Sequence, residues 1–119
     1  MLKFVKNLKT NEFRMTLNDD VQEGEVELKA NSTDAAVEKH VPVVEVNNNV
    51  CKVSVGSVLH PMTEEHFIDA IILITSEKTI MKKLKPGDSP IAEFNLTDGE
   101  KINKAYAYCN LHGLWVKEL

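Results

Sequence analysis

The sequence predicts an all-β protein built around an antiparallel sandwich of seven short strands. From about residue 41 onward, short apolar stretches are separated by turn sequences, among them three consecutive asparagines at 47–49 and a Pro-Gly-Asp-Ser-Pro run at 86–90. Asn, Gly, Pro and Asp favour turns because they adopt or fix the backbone angles that turns require. Short apolar stretches at this spacing are typical of a β-sandwich.

The seven predicted strands are rich in Val, Ile, Leu and aromatic residues and cover 41–46, 50–58, 67–75, 79–84, 91–96, 102–108 and 114–116. In the second strand Cys51, Val53 and Val55 alternate with polar residues, which places Cys51 on the buried face. We therefore interpret Cys51 as a small core residue. The stretch 67–75 is apolar almost throughout, and its β-branched residues favour a strand over a helix.

Residues 1 to about 33 differ in character from the rest of the chain. Weak strand alternation at 2–5 and 13–17 is followed by a polar Asn-Asp-Asp turn at 18–20 and a further stretch at 21–28. We interpret this segment as a small subdomain, or as an arm that packs on the sandwich or on a second subunit.

A short helix is predicted between this segment and the first strand of the sandwich. Residues 31–34 read Asn-Ser-Thr-Asp, which supplies turn and N-cap residues for a single helical turn at 35–38. That turn would deliver Glu38, Lys39 and His40 to the edge of the sandwich.

Composition limits the classes of function. The chain has 119 residues, of which 43% are hydrophobic and 27% charged, as in an ordinary globular domain. It has no apolar run of about 20 residues that could span a bilayer and no signal-peptide core, so we expect a cytoplasmic protein. The net charge of -4 with scattered basic residues argues against nucleic-acid binding. We expect both cysteines to be reduced.

The four histidines of the chain and one cysteine indicate a single metal site. They are His40, His60, His66, His112 and Cys109. Imidazole and thiolate suit iron, copper, nickel or zinc better than magnesium or calcium. Five donors are one more than a closed structural zinc site uses, and they would leave an open sixth position for chemistry.

The spacing of these residues requires loops. His66 comes six positions after His60 in the chain. At this spacing neither a helix nor a strand can bring both side chains to one ion. Pro61 is suited to begin a loop between them. The Cys-x2-His pattern at Cys109 and His112 lets a thiolate and an imidazole converge on one metal.

Several segments closely resemble the superoxide reductases, the neelaredoxin and desulfoferrodoxin family. They read Glu-Lys-His-Val-Pro-Val at 38–43, Gly-Ser-Val at 56–58, His-Pro-Met with Glu-His at 60–66, and Cys-Asn-Leu-His-Gly-x-Trp at 109–115. The resemblance covers residues 32–119 and implies an immunoglobulin-like β-sandwich that reduces superoxide to hydrogen peroxide. It also implies an external electron donor of the rubredoxin type, and we expect a homo-oligomer.

The resemblance implies one mononuclear iron per chain, cycling between Fe2+ and Fe3+. The residues matched to its ligands are the equatorial His40, His60, His66 and His112 and the axial Cys109. Glu38 matches a carboxylate that occupies the sixth position in the oxidised state. Lys39 matches a lysine that attracts superoxide and assists protonation. Without a metal beside them, these two residues would be interpreted as a solvated ion pair.

The segment 1–31 departs from the family pattern. Desulfoferrodoxins carry a leading domain with four cysteines around a second iron, whereas residues 1–31 contain no cysteine. We interpret them as an extension or a degenerate small domain without that metal, and residues 32–119 as the iron-binding domain.

Two other functions are compatible with the same residues. The sandwich could hold its metal as a structural or electron-transfer module without superoxide turnover. It could also dismutate superoxide, which would yield oxygen as well as peroxide.

Overall fold

The computed structural model describes residues 2–17 and 21–119, which form ten strands and one short helix. The chain folds as two compact units, Met1–Ala30 and Asn31–Leu119. The turn predicted at 18–20 lies outside the described residues. Within the described ranges, no helix has the length and apolar character needed to cross a bilayer.

The first unit is a three-stranded antiparallel sheet in the order β2-β1-β3, with β1 at Lys3–Asn7, β2 at Phe13–Thr16 and β3 at Glu25–Glu27. Phe4 and Phe13 are buried and stack with their ring centroids 5.8 Å apart. Arg14 of β2 donates from Nε and Nη2 to the two carboxylate oxygens of Glu25, at 2.7 and 2.6 Å.

The second unit is a sandwich of seven antiparallel strands, as predicted. One sheet has the order β10-β9-β6-β7 and the other the order β4-β5-β8. The strands are β4 (Pro42–Asn47), β5 (Val50–Val55), β6 (Ile68–Thr75), β7 (Thr79–Lys83), β8 (Ile91–Asn95), β9 (Ile102–Cys109) and β10 (Gly113–Glu118).

The core lies between the two sheets. On β5, Cys51, Val53 and Val55 are fully buried while Lys52 is exposed, which is the alternation that the sequence predicts. They pack with buried residues of β6, β8 and β9, such as Ile71. Cys51 is therefore a core residue, as expected, and both cysteines are free.

The short helix is displaced from its predicted place. The prediction was 35–38 with a polar N-cap, but α1 spans Val37–His40 and its N-cap is Ala36, which makes no side-chain cap hydrogen bond. Asn31, the first of the predicted turn and cap residues, is engaged with β10. Its backbone N–H donates to the Leu114 carbonyl, and its side chain bonds both the N–H and the carbonyl of Val116.

The strand predicted at 50–58 ends at Val55, because the residues that follow bind α1 instead of continuing the sheet. The N–H of Val58 and the hydroxyl of Ser57 both donate to the carbonyl of Glu38, at 3.0 and 3.3 Å. This loop therefore fixes α1 against the end of β5.

The ion pair in the first unit predicts an unusually acidic carboxyl group. The hydrogen bonds and charge of Arg14 hold the pKa of Glu25 at about 2, against a usual value of 4.5. The charged form is thus favoured by folding, so its stabilisation is present above pH 4.5 and is lost as the pH falls through about 2. We expect the carboxyl carbon of Glu25 to titrate near 2 by NMR. In Arg14→Gln the midpoint should move towards 4.5, and an unmoved midpoint would contradict the assignment.

Candidate metal centre

All five predicted donor residues lie at one end of the sandwich. His40 ends α1 directly before β4, and His60 and His66 lie in the connection between β5 and β6. Cys109 is the last residue of β9, and His112 lies in the turn before β10. The pairing of Cys109 with Ile68, at the start of β6, brings the β9 turn beside the loop that carries His66. The loops that the spacing requires are therefore present.

The four imidazole rings form a square. Neighbouring ring centroids are 4.7 Å apart for His40 and His60, 4.5 Å for His60 and His66, and 4.9 Å for His66 and His112. The square closes between His112 and His40 at 4.9 Å, and the His40–His66 diagonal is 6.2 Å. Neighbouring rings are steeply inclined, at 73° to 85°. Such rings can direct one nitrogen each towards a common centre.

Hydrogen bonds to backbone oxygens define which nitrogen faces that centre. Nδ1–H of His40 donates to the carbonyl of Ala36 at 2.7 Å, and Nδ1–H of His60 donates to the carbonyl of Pro61 at 2.6 Å. In a neutral ring the other nitrogen then carries a lone pair and no proton. The two Nε2 atoms nevertheless lie only 3.2 Å apart. Two lone pairs at this distance repel each other unless a cation binds both.

The remaining donors point to the same place. Nδ1 of His112 is 3.1 Å from Nε2 of His40, and Sγ of Cys109 is 3.4 Å from Nε2 of His60. Nε2 of His66 is buried without a hydrogen-bond partner. The donor atoms of His40, His66, Cys109 and His112 all lie within 4.8 Å of one another. Because metal bonds to nitrogen and sulfur are about 2.0 to 2.3 Å long, one ion can reach donors at this separation.

The protonation states suit a metal. Burial lowers the pKa of His60 to about 4, and burial also lowers the pKa of His40 and His66, so these rings are neutral at pH 7. Burial raises the pKa of the Cys109 thiol, which the backbone N–H groups of Leu111 and His112 partly oppose. These two N–H groups point at the sulfur and stabilise a thiolate there.

Glu38 and Lys39 lie on α1 with both side chains exposed. The positive charge of Lys39 lowers the pKa of His40 and of His66, as a smaller effect beside their burial. The Glu38 carboxylate is near His40 and raises its pKa, but it is not among the clustered donor atoms.

A sequence profile of the desulfoferrodoxins matches residues 32–118. The chain belongs to the desulfoferrodoxin family. A desulfoferrodoxin of Clostridium acetobutylicum is 54% identical over 91 residues, which cover 76% of this chain and 70% of the relative. A superoxide reductase of Thermococcus kodakarensis is 34% identical over 100 residues, covering 69% of this chain and 86% of the relative.

Solved structures agree with the family assignment. The superoxide reductase of Treponema pallidum superposes with a TM-score of 0.87 at 36% identity, covering 99% of each chain. The one-iron superoxide reductase of Giardia intestinalis superposes with a TM-score of 0.56 at 40% identity, covering 69% of this chain and 99% of the other. Desulfoferrodoxins bind iron, and the clustered imidazoles and thiol of this chain fit that metal.

Residues outside the donor set complete this desulfoferrodoxin site. The indole of Trp115, the last residue of the 109–115 motif, stacks on the His40 ring at 4.9 Å and donates to the His112 carbonyl at 3.0 Å. Gly56 lies so close to α1 that an added Cβ would overlap the carbonyl of Glu38 and lie 2.8 Å from the carbonyl carbon of Lys39. Motif resemblance included Gly56 without a reason for it, and the reason is this close approach.

The close approach predicts that Gly56→Ala displaces α1 and with it His40. We expect iron affinity to fall about tenfold or more, as for other changes in the shell around metal ligands. Gly87→Ala is the control, because an added Cβ at Gly87 has no atom within 4 Å, and its φ of +93°, unlike the backbone of Gly56, is itself unfavourable for alanine. That control should lose stability, by about 1 kcal/mol, and keep its iron affinity. Equal iron affinity in the two variants, measured by anaerobic Fe(II) titration, would contradict the role of Gly56.

Proposed function

We propose that this chain is a superoxide reductase, which converts superoxide to hydrogen peroxide with one electron and two protons. The observation that carries the proposal is the square of four imidazoles with a thiol beside it. We propose that these four rings and Cys109 would together hold one mononuclear iron. Five donors would leave the iron able to bind one further ligand, the substrate.

When bound, iron supplies the electron by passing from the ferrous to the ferric state. Because the imidazoles are neutral, only the Cys109 thiolate offsets the positive charge of the metal. The site would therefore stay positive and favour an anion. The thiolate, held by two backbone N–H groups, would donate electron density to the iron and favour electron transfer to the substrate. Its burial keeps competing ligands away from the sulfur.

Lys39 is proposed to draw superoxide to the site. The protein as a whole is acidic, with a net charge of -4. Charges farther away than about 8 Å are strongly screened at physiological salt, so a nearby ammonium outweighs the distant carboxylates. Glu38, one residue earlier on α1 and exposed, would be a further ligand of the iron in the oxidised protein.

The electron has to come from another molecule. The chain contains only two cysteines, of which Cys51 is buried in the core and Cys109 is assigned to the iron. A sulfur-ligated second iron therefore has no ligands here. We propose an external donor of the rubredoxin type. The homo-oligomeric state and the cytoplasmic location stay predictions from the sequence.

The proposal is tested by the products of the iron-loaded protein. Reduced protein mixed with superoxide generated by pulse radiolysis should consume one superoxide per iron and yield peroxide with little oxygen. Oxygen in proportion to peroxide would indicate dismutation instead. Bound iron without superoxide consumption would indicate an electron-transfer or structural module.

The position of Lys39 predicts a salt-dependent rate. Lys39→Ala should slow superoxide capture by about tenfold at low ionic strength while iron stays bound, because the local attraction is lost. The difference should shrink as salt is added. Lys101→Ala is the control, since Lys101 is an exposed lysine just before β9, at the end of that strand opposite Cys109. Pulse-radiolysis rates that are the same for both variants would contradict this role of Lys39.

A further inference from the structure

Asn110 directly follows Cys109 in the turn that carries His112. Its side chain contacts the loop between β5 and β6. Its Oδ1 accepts the backbone N–H of Phe67 at 2.9 Å, and its Nδ2 donates to the backbone carbonyl of Glu65 at 3.0 Å. The two peptide groups that it binds are those on either side of His66. The side-chain amide of Asn110 thus binds the backbone on both sides of His66, a proposed iron ligand.

We propose that Asn110 is a positioning residue that holds the His66 ring in register with the Cys109 sulfur. The inference rests on the proposed function, since it takes both residues as ligands of one iron. The paired residues of β6 and β9 end at Ile68 and Cys109, and one more backbone bond joins the N–H of Asn110 to the carbonyl of Phe67 at 3.2 Å. Beyond that point the Asn110 side chain continues the connection between the two segments.

His66 depends on these hydrogen bonds of Asn110, because its ring is held differently from those of His40 and His60. The rings of His40 and His60 are oriented by Nδ1–H bonds to backbone oxygens. Among the described residues, the hydrogen bonds of His66 are made by its backbone, which pairs with Thr63, and Nε2 has no partner. The direction of this imidazole is therefore set through its backbone, and Asn110 fixes that backbone.

Two variants distinguish the two hydrogen bonds of the Asn110 side chain. Asn110→Ala removes both hydrogen bonds, whereas Asn110→Asp keeps an acceptor for Phe67 and loses the donor to Glu65. Asn103→Ala is the control, because Asn103 is an exposed asparagine on β9, the strand that leads to Asn110, near the end away from the site.

Three measurements that do not depend on turnover test the proposal. The Phe67 amide in the iron-free protein should exchange its hydrogen about tenfold faster in Asn110→Ala and stay protected in Asn110→Asp, as expected for loss of one hydrogen bond. Fe(II) affinity should fall about tenfold or more in both variants, as for changes around metal ligands elsewhere. The visible thiolate-to-iron charge-transfer band of the oxidised protein should shift in both and not in the control.

A purely structural role gives a different pattern. In that case the variants would melt at lower temperature while iron affinity and the charge-transfer band stayed equal to those of Asn103→Ala, which would overturn the proposal. If Asn110→Ala does not fold, unchanged iron affinity and an unchanged band in Asn110→Asp would overturn it in the same way. If the unaltered protein fails to reduce superoxide, the proposed function is contradicted. The three measurements still test the role of Asn110, because none of them depends on turnover.

Discussion

Two histidine nitrogens that both lack a proton face each other across 3.2 Å, and the surrounding structure holds them there. The protons of His40 and His60 are committed outward to backbone carbonyls, so neither ring can donate to the other. A cation bound by both nitrogens removes the repulsion. The β-sandwich, the helix α1 and the loop from His60 to His66 hold this arrangement in place.

Contacts from neighbouring backbone and side-chain groups hold the donors. His40 is held by the Ala36 carbonyl and by the indole of Trp115, and His112 is fixed through its own carbonyl, which accepts from the same indole. Cys109 is held by its place at the end of β9 and by N–H groups from its turn. Precise metal sites depend on such supporting contacts, because a ligand left free to rotate loses affinity and geometry. His66 alone lacks a bond to its ring among the described residues, which is why its backbone contacts matter.

Much of the fold and of the site could be predicted because both depend on short-range patterns. The alternation of apolar and polar residues around Cys51 identifies that cysteine as a core residue and not a candidate ligand. The spacing of His60 and His66 requires the loop that is observed. The predicted helix boundary was wrong, since α1 begins at Val37 after the N-cap Ala36, which makes no side-chain cap hydrogen bond. The predicted end of β5 was also wrong, because the residues after Val55 bind a carbonyl of α1. At β5 a hydrogen bond to a distant segment replaced the continuation of the sheet.

The sequence by itself determined the class of fold, the set of candidate donors and the need for loops, since these follow from hydrophobic period, residue type and spacing. Only the tertiary structure decided which nitrogen of each ring faces the centre, that Gly56 leaves room for α1, and that Asn110 brackets His66. The physical reason is that a ring's orientation is set by the carbonyl or amide that meets it. Those partners are close in sequence for the His40 and His60 rings, at Ala36 and Pro61, but lie 43 to 45 residues away for the side chain of Asn110. No local pattern encodes which segments meet, because packing of the two sheets decides it.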